Sequence, residues 1–266
     1  MMALDIAERD TLEGTRHDAV PSLLAHTLGN LVAERMSVRN SGFAVRQLCT
    51  ALVADGPRDA DAYVDRLMEC GVTVQTIYES YIPHAARQLG EWWTEDQVGF
   101  NDVTVGMTRL TEIFRRLSPV FLKSESNRGQ SHSALFALCP GEIHSLGVAM
   151  AADYFQRAGW AVRVELQATR EGLAKLAGSG RYDLIGLSAG SRRQIDKLKD
   201  TVEAMRAAAG PNVPIIIGGP IVGVERSIAS IVGADSAQSV AAAALMEVEK
   251  GIAADETMPA PRERHG

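Results

Sequence analysis

Apolar residues in the first half of the chain recur three and four positions apart. Between Pro21 and Ala33 they are Leu23, Leu24, Leu28, Leu31 and Val32, one helical face. The stretch from Gly42 to Ala54 repeats the spacing with Phe43, Val45, Leu48, Cys49 and Leu52, and Asp59 to Met68 reads as a third, short helix. From Val72 to Trp93 the apolar stripe holds Val74, Ile77, Tyr78, Tyr81, Ile82 and Leu89, with Pro83 predicted to kink the helix. Asn101 is the predicted cap of a helix reaching about Leu122, whose apolar side carries Val105, Leu110, Ile113, Phe114 and Leu117. No strand pattern precedes Ser131, so this half is expected to be a helix bundle.

The pattern changes after the polar run SESNRGQS, residues 124–131, which reads as a linker. Short apolar runs then alternate with helices. Strands are predicted at Ala134–Leu138, Val162–Leu166, Leu184–Leu187 and Ile215–Ile217, with a weak fifth beside Ala234-Asp235. Helices are predicted at Ser145–Ala158, Arg170–Ala177, Arg193–Ala208, Val224–Ile231 and Ser239–Lys250. This alternation predicts a flavodoxin-like (Rossmann-type) five-stranded parallel sheet covered on both faces. The expected organisation is an N-terminal helical segment (1–41), a bundle (42–123), the linker (124–131), the α/β domain (132–252) and a disordered tail (253–266).

Composition narrows the function. The 266 residues are 46% hydrophobic, enough for two cores, and 27 basic against 33 acidic side chains leave a net charge of −6. That sign disfavours direct DNA binding. No apolar run approaches the roughly 20 residues a bilayer requires. The acidic N-terminus does not read as a signal peptide, and three cysteines without a CxxC pair fit a reducing cytoplasm.

In an open α/β sheet ligands bind beyond the carboxyl ends of the strands, where strand order reverses. In the order 2-1-3-4-5 that rule selects the loops after strands one, three and four. The first is Pro140-Gly141-Glu142-Ile143-His144-Ser145-Leu146-Gly147; the others are Ser188-Ala189-Gly190-Ser191 and Gly218-Gly219. His144 is a candidate metal ligand, Glu142 a carboxylate placed to hold its other nitrogen, and Gly147 a residue that lets a bulky group approach the following helix.

Glu142-x-His144-x-x-Gly147, Ser188 and Gly218-Gly219 resemble the D-x-H-x-x-G, S-x-L and G-G elements of cobalamin (B12)-binding domains. Leu89-Gly90-Glu91-Trp92-Trp93 resembles the V-G-x-x-W segment of the helical bundle that covers the corrin. The resemblance implies that His144 is the lower cobalt ligand. It also implies a displaced nucleotide tail bounded by Ser145, Ser188, Gly190, Gly218 and Gly219, and Trp93 against the upper face. Three departures stand out. The acid is Glu142, one methylene longer than aspartate. Gly190 stands where S-x-L has leucine. Val103-Thr104 replaces the Glu-His of light-sensing and methyl-transferring relatives, leaving Thr104 at the upper position, with His17 and His26 as outside candidates.

Phe100 to Thr104 resembles the F-x-D-V-T stretch of the AerR/PpaA group of photosynthesis regulators. Membership of that group implies a light- or cofactor-responsive regulator that is not an enzyme. It would act through a protein partner as antirepressor of a PpsR/CrtJ-type transcription factor, with hydroxocobalamin as the preferred form. No catalytic residue is assigned. A corrinoid methyl carrier is the alternative, and haem on the same histidine a further one. Oligomeric state is open.

Overall fold

The computed structural model describes residues 42–123, 132–180 and 182–256. The expected N-terminal segment with His17 and His26, the linker 124–131 and the end of the tail from 257 lie outside the described residues. The chain divides into two compact units after Leu110, inside a helix and not at the polar linker.

The first unit is helical. It comprises α1 (42–53), α2 (Asp59–Glu69), α3 (Val74–Thr76), a π-helical turn (Ile77–Tyr81), α4 (Ile82–Thr94) and the start of α5 (Phe100–Lys123). Its buried side chains are those of the sequence stripe: Leu48, Leu52, Val64, Ile77, Tyr78, Ile82, Leu89 and Leu110. The π-turn lies directly ahead of Pro83. Proline has no N–H to donate, and the widened turn absorbs the missing bond where a kink was expected. Asn101 is not the cap of α5. The Gly99 carbonyl accepts the first helical bond, from Val103 N–H at 3.1 Å, and Asp102 Oδ2 accepts from Gly99 N–H at 3.0 Å. The helix therefore begins one residue before Asn101, and the capping is done from the third helical position.

The second unit begins with the rest of α5. Phe121 packs edge-on against Tyr154 of α6 (Leu146–Arg157), ring centroids 5.2 Å apart. Five parallel strands form one sheet in the order β2-β1-β3-β4-β5: β1 (Ser133–Leu138), β2 (Ala161–Glu165), β3 (Leu184–Ser188), β4 (Ile215–Gly218) and β5 (Ser236–Ala237). The fold expected from the apolar alternation is the fold observed. Its central strands are buried along nearly their whole length because helices cover both faces. One core holds Leu135, Ile185, Leu187 and Ile217. The other holds Phe136, Phe155, Trp160 and Ile216.

Alternating with the strands are α7 (Arg170–Ser179), α8 (Ile195–Ala209), α9 (Ile221–Val224), α10 (Ile228–Val232) and α11 (Ala241–Glu256). The single helix expected at Val224–Ile231 is two short ones. Glu225 takes extended backbone (φ −135°, ψ 97°) between them, and Arg192 donates to Glu225 Oε2 at 3.2 Å and to the Val224 carbonyl at 2.8 Å. β5 lies beside Ala234-Asp235, as expected, and Asp235 helps to hold it against β4: its Oδ2 accepts from Ile215 N–H at 2.6 Å and from Arg206. The last helix runs to Glu256, into the tail expected to lack structure, where Ala253 and Ala254 are strong helix formers.

Candidate functional site at the carboxyl edge of the sheet

Register places the three selected loops side by side. Leu138 of β1 pairs with Ser188 of β3, and Ser188 with Gly218 of β4. β1 pairs with β2 on one side and β3 on the other, so the loop after β1 emerges at the reversal of strand order.

That loop is folded by its own sequence. Cys139-Pro140-Gly141-Glu142 has proline second and a glycine at φ +87° third, the signature of a type II turn, closed by Glu142 N–H donating to the Cys139 carbonyl at 2.8 Å. The turn sends the Glu142 side chain inward, where it is only 4% exposed. Its Oε1 accepts three bonds: from Ile143 N–H at 2.8 Å, His144 N–H at 2.9 Å and His144 Nδ1 at 2.5 Å. Burial pushes the Glu142 carboxyl up. The hydrogen bonds from His144 and Ile143 and the charge of His144 pull it further the other way, so it lies below the usual carboxylate range. An ionised carboxylate only accepts, so Nδ1 is the donor of this bond and Nε2 is the ring nitrogen left to face a ligand. The His144 side chain is 72% exposed, and its ring makes no other hydrogen bond among the described residues.

Around this pair the expected residues divide into those that leave space and those that fill it. Ser145 is the N-cap of α6, but its hydroxyl makes no capping bond. A Cβ on Gly147 would meet nothing within 4 Å, and one on Gly218 only the Gln238 carbonyl at 3.8 Å. Ser188 is buried. Gly219 has φ +87°, and a Cβ there would lie 2.5 Å from the Ala189 carbonyl and 2.6 Å from Ser188 Oγ, so the protein itself demands this glycine. Gly190 is close to the acid: a Cβ would stand 2.5 Å from Glu142 Oε2.

Trp93 and Thr104 belong to the helical unit. Trp93 is half exposed, its ring 6.4 Å from that of the exposed Phe100. Thr104 is exposed, and its hydroxyl donates to the Phe100 carbonyl at 2.8 Å. Two contributors were missed from sequence. Gln194 Oε1 accepts from Gly190 N–H at 2.8 Å and Ser191 N–H at 3.2 Å, and the capping-box spacing Ser191-x-x-Gln194 was the available signal. Lys197 Nζ lies beside Gly141, which no local motif announces. Burial, the Glu142 charge adding to it, pushes the Cys139 thiol up to about 11, so it is protonated at neutral pH.

Among the described residues no three His, Cys, Asp or Glu side chains converge as a metal cage. A bare ion at this edge would find the His144 nitrogen and little else. The donor set therefore fits a metal that arrives in a macrocycle and lacks one axial nitrogen, a class to which corrinoids and haem both belong.

Sequence comparison points to the corrinoid side. Residues 133–248, from β1 into α11, match the family model of the B12 binding domain. A curated relative from Rhodobacter capsulatus, described as an uncharacterized 20.5 kDa protein in the bchF-crtJ intergenic region, is 28% identical over 175 residues, 66% of this chain and 91% of its own. Among solved structures, the monomethylamine corrinoid protein of Methanosarcina barkeri superposes with a TM-score of 0.64 at 18% identity, covering 80% of this chain and 97% of its own; that likeness is one of fold. Among the described residues no helix is long and apolar enough to cross a membrane.

Proposed function

We propose that the chain binds a cobalamin through Nε2 of His144 and works as a light- or cofactor-responsive regulator acting through a protein partner. The observation that carries the binding is the buried, ionised Glu142 fixing the tautomer of an exposed imidazole at the switch point, within the stretch that matches the B12 binding domain. Glu142 holds the Nδ1 proton, and its charge strengthens the donor nitrogen on the far side of the ring. Open space at Gly147, and at Gly218 only a carbonyl at ordinary contact distance, let a bulky ligand approach the backbone, with Ser145, Ser188, Gly190 and Gly219 completing the edge. A cobalamin would supply a cobalt whose upper ligand exchanges or is released by light.

Hydroxocobalamin is the proposed form. The reason is the resemblance alone: it aligns Thr104, a weak metal ligand, with the position at which light-sensing and methyl-transferring relatives carry a histidine, and Trp93 with the tryptophan that covers the corrin, an arrangement that disfavours a bulky adenosyl group. The regulatory part rests on the F-x-D-V-T resemblance and on the relative from the bchF-crtJ region; a CrtJ-type repressor is accordingly the proposed partner. The chain is proposed to work by binding alone, in the cytoplasm, with no turnover chemistry and no direct DNA contact.

The test is the mass and visible spectrum of the cofactor retained on purification, followed by titration with hydroxocobalamin and adenosylcobalamin in darkness. A corrinoid spectrum with tighter binding of the hydroxo form is expected. A haem spectrum contradicts the reading. Equal affinity for both cobalamins removes the sensor mechanism and favours a methyl carrier.

A further inference from the structure

The site contains two departures from the motifs it resembles, and they touch. The acid at 142 is longer by one methylene, and the residue at 190 has no side chain. A Cβ on Gly190 would stand 2.5 Å from Glu142 Oε2 and 3.3 Å from its Cδ. The carboxylate occupies the space that any side chain at 190 would claim. We propose that Gly190 is a positioning residue: its bare backbone is the seat of the Glu142 carboxylate, and residues 142 and 190 form a matched pair that sets the orientation of His144.

Three observations support this over a backbone or a cofactor role for the glycine. Gly190 is not among the glycines at positive φ, so its conformation is open to alanine. Its loop is also pinned. Gln194 Oε1 accepts from the N–H groups of Gly190 and Ser191, and Arg192 ties the same segment to the Val224 carbonyl and Glu225. The backbone at 190 is therefore not free to retreat from a methyl group, and the acid must give way. Finally, Oε1 accepts all three hydrogen bonds of the carboxylate while Oε2 lies against Gly190. Displacing Oε2 swings Oε1 off the His144 ring.

An alanine at 190 meets the far end of a flexible side chain, so the fold should survive while the carboxylate loses its seat. An aspartate at 142 would end near the place of the glutamate Cδ, 3.3 Å and not 2.5 Å from a Cβ at 190, and an Asx-turn to the N–H two residues on would keep its carboxylate beside the ring. The longer acid and the missing side chain are one exchange of volume.

The consequence for binding rests on His144 being the metal ligand; the geometric claim does not, and the experiment separates them. Imidazole nitrogen spectra of the apoprotein at fixed neutral pH read the His144 tautomer, and titration with hydroxocobalamin reads affinity. Wild type should show a strongly hydrogen-bonded proton on Nδ1. Gly190→Ala should lose that signature and bind hydroxocobalamin about 10- to 100-fold more weakly. The double variant Glu142→Asp with Gly190→Ala should regain the signature and recover affinity by on the order of tenfold. If Gly190→Ala fails to fold, recovery of folding in the double variant is the same rescue. The proposal is overturned if Gly190→Ala keeps the wild-type tautomer and affinity, or if the double variant does no better than Gly190→Ala. Rescue of the tautomer in a protein that binds no cobalamin would sustain the pair and reject the cofactor reading.

Discussion

Glu142 illustrates how one buried charge can be stable and useful at once. Leaving water disfavours its ionised form, and three donors on one oxygen more than offset that, so its folded-state pKa lies below its unfolded one, about 4.3. A depressed acid contributes stability that is complete above the unfolded value and is lost as pH falls through the folded value. Urea unfolding of the apoprotein and of Glu142→Gln should thus differ above about pH 5, and the difference should shrink as pH falls further into acid. A difference that grows with acid contradicts the assignment. His144→Ala removes the ligand itself. It should abolish tight cobalamin binding, a loss greater than that of Glu142→Gln, with the circular dichroism spectrum unchanged, because the His144 side chain is mostly exposed.

At the scale of elements, the two glycines after β4 have opposite duties. Gly219→Ala forces a side chain onto a positive φ and into the end of β3, and should destabilise the sheet by more than about 1 kcal/mol. Gly218→Val puts its Cβ in ordinary contact with the Gln238 carbonyl, 3.8 Å away, and should leave stability within about 0.5 kcal/mol of wild type while weakening binding. Thermal unfolding and cobalamin titration of the two variants distinguish these roles. Sequence alone did not separate them, because G-G describes a place and not what each missing side chain would strike. The same distinction explains what else was legible. The alternation of strands and helices followed from apolar periodicity, and the placement of the loops from the switch-point rule applied to the 2-1-3-4-5 order of a flavodoxin-like sheet, which is the order observed. The start of α5 and the break at Glu225 depended on single side chains, Asp102 and Arg192, whose partners are a neighbouring backbone group or residues 32 and 33 positions away. Gln194 was readable as a capping box; the contact between Glu142 and Gly190 was not, since 48 residues separate them.

The whole molecule is acidic, with two compact units and a site edge exposed on one of them. Its three cysteines sample that organisation. Burial pushes the thiols of Cys49 and Cys139 up to about 12 and about 11, while Cys70 is exposed. A raised thiol pKa suppresses the reactive thiolate, so native protein at about pH 8 should take up one alkyl group quickly, on Cys70, and the others only on unfolding. Rapid labelling of all three would show that the cores open readily. On the proposed reading, such a molecule reaches DNA only through its partner, and direct binding to promoter fragments should be absent at physiological salt.

The central claim is that a protein histidine replaces the cofactor's own base on cobalt. Electron paramagnetic resonance of the one-electron-reduced, Co(II) state tests it directly in protein grown with 15N-histidine. The account predicts that the axial nitrogen splitting changes from the triplet of 14N to the doublet of 15N, and that His144→Ala abolishes the doublet. A triplet that persists in the labelled protein means that the cofactor keeps its own nitrogen base, and would contradict the assignment of His144.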